Sequence, residues 1–143
     1  ETSVIPPEKN VEQTIENSMG KPVKEIQIER KGRGYDRDKS KVCEKTLLNF
    51  ITEDLSLDLK SVPGIGESAE RKLRKHGITT TIQLIGRVLS MRSDTMTEKE
   101  HLDEIWFFLK SLGISAHRSG IVHSLGEKIE VQFGIGLFTF SEK

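Results

Sequence analysis

The chain has 143 residues, 34% hydrophobic and 31% charged, with 22 basic and 22 acidic side chains and a formal net charge of zero. That length suits one ordinary domain with an arm or tail to spare, and the zero balance excludes a simple polycation that coats nucleic acid. No apolar run is long enough to cross a bilayer, and a single cysteine, Cys43, excludes an internal disulfide.

The charges are segregated along the chain. Residues 60–92 hold Lys60, Arg71, Lys72, Arg74, Lys75, Arg87 and Arg92 against only Glu67 and Glu70. Residues 30–41 hold six basic side chains against Asp36 and Asp38, while acidic residues gather in 1–20 and 94–104. A neutral protein can therefore carry a local basic face. The lone cysteine fits a reducing compartment. We expect an intracellular protein of the nucleus or of an organelle; Glu1 in place of Met leaves room for a cleaved targeting peptide.

Residues 1–43 read as an N-terminal arm. Pro6-Pro7 opens a short helix through Val11 and Ile15 that ends before Gly20, and Val23–Ile28 alternates enough for a short strand. Arg30 to Lys39 follows as a polar, glycine-containing loop. Its one aromatic residue, Tyr35, could stack on a base while the arginines touch phosphates; the plainer alternative is a solvated loop of mixed charge.

From Glu44 to Leu55, the residues Leu47, Leu48, Ile51 and Leu55 fall at helical spacing, with Phe50 beside them. Residues 57–62 predict a second, short helix, which Pro63 cannot continue because it lacks an amide proton. Gly64-Ile65-Gly66 then makes a tight turn, with Ile65 as its anchor in the core, before a helix over 67–76 that buries Ala69 and Leu73. The first amides of that helix have no intrahelical partner, and with the helix dipole behind them they favour an anionic oxygen. Gly77 is a natural residue to end the helix.

Thr80 with Gln83 predicts a capping box for a helix whose apolar stripe is Ile82, Ile85, Val88 and Leu89. Thr97 with Glu100 predicts another, with Leu102, Ile105, Trp106 and Leu109 on the core face. After Leu112-Gly113-Ile114, Ser115 is expected to cap a last helix carrying Ile121, Val122 and Leu125. Residues 129–140 alternate and end in aromatic residues, which suggests an edge strand or a segment inserted into a partner.

These elements describe an all-α fold. We expect a compact bundle of about five helices over 44–128 with an N-terminal arm, 1–43, and a short strand-like C-terminal tail, 129–143. Leu73, Ile82, Ile85, Leu89, Ile105, Trp106 and Val122 are expected to share its core.

The run Val62-Pro63-Gly64-Ile65-Gly66 leading into an amphipathic helix resembles helix-hairpin-helix elements. The segment from Cys43 to Ile129 further resembles barrier-to-autointegration factor, a small all-helical family that bridges double-stranded DNA. The resemblance rests on Gly64-Ile65-Gly66-Glu67, then Lys72-Leu73, Gly77 with Ile78, Leu84-Ile85-Gly86 with Leu89, and Phe108-Leu109-Lys110. Ser115-Ala116-His117-Arg118-Ser119 looks like the family's second DNA-contacting turn, and Lys45 sits near its N-terminal DNA-contacting lysine. The chain departs from the family in its arm and tail, in having His117 where a basic residue stands, and in a C-terminal helix reduced to Ser124-Leu125-Gly126-Glu127.

What the resemblance implies is sequence-independent binding of double-stranded DNA through backbone amides. The candidate nucleic-acid-binding residues are Lys45, Gly64, Ile65, Gly66, Glu67, Ser68, Lys72, Ala116 and His117. The alternative is a non-catalytic structural subunit that docks the same fold and its arms onto a large organellar or ribonucleoprotein complex. No enzyme is expected. The Gly-Pro-Asp signature of helix-hairpin-helix glycosylases is absent after Gly77, no cofactor is implied, and the scattered His76, His101, His117 and His123 make no metal pair.

Overall fold

The last helix organises the fold, because its sequence suits burial on every side. The computed structural model describes residues 14–16, 22–24, 27–134 and 136–140. Among these, the chain forms α1 (Glu44–Thr52), α2 (Glu67–Lys75), α3 (Thr81–Ser90), α4 (Glu98–Ser111) and α5 (Arg118–Phe133). In the arm, β1 (Thr14–Glu16) and β2 (Pro22–Lys24) pair antiparallel with Ile15 opposite Val23. A strand therefore takes Ile15, where a helix is expected, and the rest of that expected helix lies outside the described residues. Of the expected strand over 23–28, Val23 and Lys24 lie in β2, Gln27 and Ile28 are irregular, and 25–26 lie outside the described residues.

Ile121, Val122, Leu125 and Ile129 of α5 are fully buried, and so are Ser119, Gly120, Ser124, Gly126 and Lys128. The small residues let neighbours close in. A Cβ on Gly120 would lie 3.1 Å from Val42, and one on Gly126 would lie 2.7 Å from the Phe140 ring. Val42 beside Gly120, and Phe50 beside Lys128, run α1 parallel to α5. The Lys128 ammonium donates to the carbonyls of Phe50 (2.7 Å) and Glu53 (2.6 Å) and lies 4.9 Å from the Phe50 ring centroid. It thus closes the C-terminal end of α1, which has no basic residue in its own last turn. Burial lowers its pKa, and nearby Glu53 and Asp54 oppose that shift.

Both capping boxes form, at Thr80 with Gln83 and at Thr97 with Glu100. His101 is buried where α4 meets α3; its Nε2 faces the Val88 carbonyl at 2.8 Å, so it is the donating nitrogen, and burial lowers the imidazole pKa. Of the expected core, Leu73, Ile85, Ile105 and Val122 are buried, while Leu89 and Trp106 are half-buried at its margin. Ile82 is 49% exposed, because Leu84, Ile85 and Val88 form the inward face of α3. The expected helix over 57–62 is a single 3-10 turn, Leu59–Ser61, with Leu59 fully buried.

Two further expectations at the C-terminal end change. The cap of α5 is His117, not Ser115, in a left-handed conformation at φ 62°. The helix is not reduced: Ile129 to Phe133 continue it for 16 residues in all, until Gly134 ends it. The aromatic tail then folds back on its own domain. The Glu130 carboxylate accepts the amides of Gly136, Leu137 and Phe138, and Glu98 accepts those of Thr139 and Phe140. Phe138, 1% exposed, lies against His101 with ring centroids 4.8 Å apart.

Residues 27–43 also pack on this core. Arg30 pairs with Glu104, the Lys110 ammonium donates to the Lys31 carbonyl, and the Tyr35 amide donates to Asp103. The Lys99 ammonium donates to the Tyr35 carbonyl, and the Asp36 amide donates to Ser119 Oγ. The Ser40 hydroxyl faces His123 Nδ1, whose ring meets Glu127 through Nε2. Tyr35 is 7% exposed, so its ring anchors the loop and offers no face to a base. Burial, with Glu127, Asp36 and Glu98 nearby, pushes its pKa up to about 12.

A raised phenol pKa stabilises the fold at lower pH. The contribution is complete below the unfolded value of about 10 and is lost as pH rises through the folded value. Tyr35 is the sole tyrosine, so tyrosinate absorbance reports it alone. We expect a spectroscopic midpoint near pH 12 in the folded protein, about two units lower in urea, and a falling denaturation midpoint above pH 10.

Candidate nucleic-acid interface

Pro63 and two glycines shape the turn before α2. The Ile65 amide donates to the Val62 carbonyl, Gly64 sits at φ +99°, and Ile65 is buried at 5% exposure. Gly64 needs its hydrogen twice over, since a Cβ there would lie 2.8 Å from Ile121 Cγ1 and 3.2 Å from His117 Cβ. The turn thus rests directly on the first turn of α5.

Gly66 is the N-cap of α2, at φ −102°, with no side-chain cap. The Glu70 amide makes the first intrahelical bond, to the Gly66 carbonyl, so the amides of Glu67, Ser68 and Ala69 have no helical acceptor. His117 caps α5 in the same uncapped way, with the Ile121 amide bonding its carbonyl. Two helix N-termini, each with its positive dipole end, therefore meet side by side.

Between them lies a cleft of about 250 Å³. Its walls include Gly64, Gly66, Glu67, Ser68 and Lys72 from the α2 side, and Ala116 and His117 from the α5 side. The Lys72 ammonium donates to the Gly113 carbonyl at 2.8 Å, tying α2 to the α4–α5 turn and keeping two N–H donors for a ligand. Glu67 is the acidic exception, exposed on the first turn of α2. Ile65 lies beneath the turn and supports it. Lys45 is exposed near the start of α1 and does not line the cleft.

Sequence reasoning overlooked how the second turn is held. The Arg118 guanidinium donates to the Ile114 carbonyl at 2.7 Å and lies 4.3 Å from the Trp106 ring centroid. Lys110 lies 5.7 Å from the same ring. Burial lowers the Arg118 pKa. The available signal was Trp106 and Lys110 four residues apart on α4, a spacing that puts them on one helix face. On α2 itself, Arg74 pairs with Glu70 at 3.2 Å, whereas Arg71 and Lys75 are exposed.

The cleft offers amides and an ammonium, the chemistry that holds an anionic oxygen. Among the described residues, no group of His, Cys, Asp and Glu could hold a metal ion, and no helix is long and apolar enough to cross a membrane. Comparison with protein-family models, curated proteins and solved structures finds no match to this chain.

The two glycines should behave differently. Gly64→Ala is expected to cost at least about 1–2 kcal/mol, the left-handed penalty for an L residue, and more if Ile121 cannot yield. Gly66→Ala should cost less, about 0.5–1 kcal/mol for the poorer N-cap, because its φ is ordinary and no atom lies within 4 Å of the new Cβ. Urea denaturation midpoints of the two variants check the contrast.

Proposed function

We propose that this protein binds double-stranded DNA without regard to sequence, holding the phosphate backbone in the cleft between the α2 and α5 N-termini. The turn at Gly64-Ile65-Gly66 then works as a helix-hairpin-helix element, and the resemblance to barrier-to-autointegration factor extends to function. The observation that carries this reading is the meeting of two uncapped helix N-termini with the Lys72 ammonium in one cleft. Amides and an ammonium suit a phosphate and carry no base information. The role is non-catalytic, and its place is where duplex DNA lies, the nucleus or an organelle.

The subunit alternative draws on the neutral charge and on the arms, read as ordered because a partner holds them down. Tail residues 136–140 and arm residues 27–43 are instead held by α4 and α5 of the same chain.

Contact with four to six phosphates should give log affinity against log salt a slope of about −4 to −5. Random-sequence duplexes of equal length should bind alike, as fluorescence anisotropy across a salt series would show. A flat salt response, or no binding at low salt, favours the subunit alternative.

Gly66→Val isolates the cleft. Its φ of −102° and the empty space within 4 Å of its Cβ position let the fold accept the side chain, which adds bulk to a wall of the cleft. Duplex affinity, measured well below the variant's melting temperature, should fall about tenfold or more, which is about 1.4 kcal/mol. Val is a poorer N-cap than Gly, so that temperature falls modestly. Wild-type affinity in that variant would remove the cleft as the phosphate site.

A further inference from the structure

A second basic surface lies on the arm loop, close to the first turn of α5. It is an open groove of about 690 Å³ whose walls include Arg33, Tyr35, Arg37, Lys99, Leu102 and Phe140. The loop is not a loose polar segment. Over Arg30 to Ser40 it is fastened by six contacts to α4 and α5, to Glu104, Lys110, Asp103, Lys99, Ser119 and His123. Gly34, at φ +82°, lets the backbone pass so close to Asp103 that a Cβ there would lie 2.6 Å from its carboxylate oxygen. The arginines therefore stand on a preorganised support, which lowers the ordering cost of binding.

The charges in the groove differ in what remains available. Asp36 accepts the Asp38 amide, and Glu98 accepts the Thr139 amide and hydroxyl and the Phe140 amide. Lys99 lies between the Tyr35 carbonyl and the Asp103 carboxylate. Arg33 and Arg37 are exposed, and neither guanidinium has a hydrogen-bond or ion-pair partner among the described residues. Each keeps its planar set of donors, which matches a phosphate. Leu102 and Phe140 complete the wall.

The position links this groove to the cleft. The Asp36 amide, next to Arg37, donates to Ser119 Oγ at 3.1 Å, and Ser119 is two residues beyond the His117 cap. At the rise and turn of a helix, that is about 3 Å along the α5 axis and about 200° around it, so the loop and the cleft flank the start of α5 on different sides. We propose that Arg33 and Arg37 hold a second stretch of the phosphate backbone of the same DNA, extending the footprint from the cleft around the start of α5 to the arm loop. This extension rests on the DNA-binding function proposed above.

The test compares salt slopes for a fixed random-sequence duplex across four proteins: wild type, Arg33→Ala/Arg37→Ala, Arg33→Lys/Arg37→Lys and Lys39→Ala/Lys41→Ala. The last removes equal charge from exposed neighbours outside the groove walls. Losing two phosphate contacts should make the slope shallower by about 2 and weaken binding at least about tenfold at fixed salt. The lysine pair should keep most of the slope, and the Lys39/Lys41 pair should shift it less than the arginine-to-alanine pair. An Arg33→Ala/Arg37→Ala protein that matches wild type, or only matches the Lys39/Lys41 control, overturns the groove. Gly66→Val, run in parallel, separates the two sites. If it abolishes binding while the arginine pair does nothing, the groove fails alone. If it does nothing while the arginine pair abolishes binding, the cleft fails and the groove stands. A wild-type protein that binds no duplex removes both.

Discussion

From Ser119 to Ile129, helix α5 can be closely packed because small residues alternate with aliphatic ones around it. Gly120 admits Val42, Gly126 admits the rings of Phe138 and Phe140, and the aliphatic side chains between them fill the core. Lys128 is the one charge inside this arrangement. Its ammonium is tolerated because two carbonyls at the end of α1 and the Phe50 ring receive it. A buried amine without those acceptors would carry a desolvation cost with no compensation, so α1 and α5 fix each other's position along their length.

The cleft inherits its geometry from that helix. Its α5 wall begins where the buried helix begins, and Gly64 brings the α2 turn into contact with Ile121 one turn further in. Lys72 then ties the far side of α2 to Gly113. The two amide-bearing helix ends are thus held in register by packing below and one charged hydrogen bond above. Preorganised donors of this kind need little rearrangement to receive an anion.

Signals complete within a few residues were legible in the sequence. Thr80 with Gln83 and Thr97 with Glu100 are local pairs, and both capping boxes form. Gly77 likewise ends α2 at φ 85°, with the Ile78 amide bonding the Leu73 carbonyl. Tertiary facts were not legible. Ile129-Glu130-Val131-Gln132-Phe133 alternates like a strand, yet burial of Ile129 keeps it helical. Tyr35 sits among charges and reads as exposed, but Asp103, Lys99 and Ser119, distant in sequence, fix its loop so that the ring turns inward. The same limit applies to the site. The glycine turn is visible as a motif, while the distance of Lys45 from the cleft walls and the stacking of Arg118 on Trp106 depend on how α1 and α4 meet α5.

That last contact has a practical consequence. Trp106 is the only tryptophan, and the cation lying on its ring belongs to the first residue of the helix whose end forms one wall of the cleft. Indole emission responds to the charge and hydration around the ring. A ligand that draws on Arg118, or shifts the start of α5 by a fraction of an ångström, changes that environment directly. The protein therefore carries its own fluorescent indicator beside the cleft, and occupancy can be followed in the unlabelled chain.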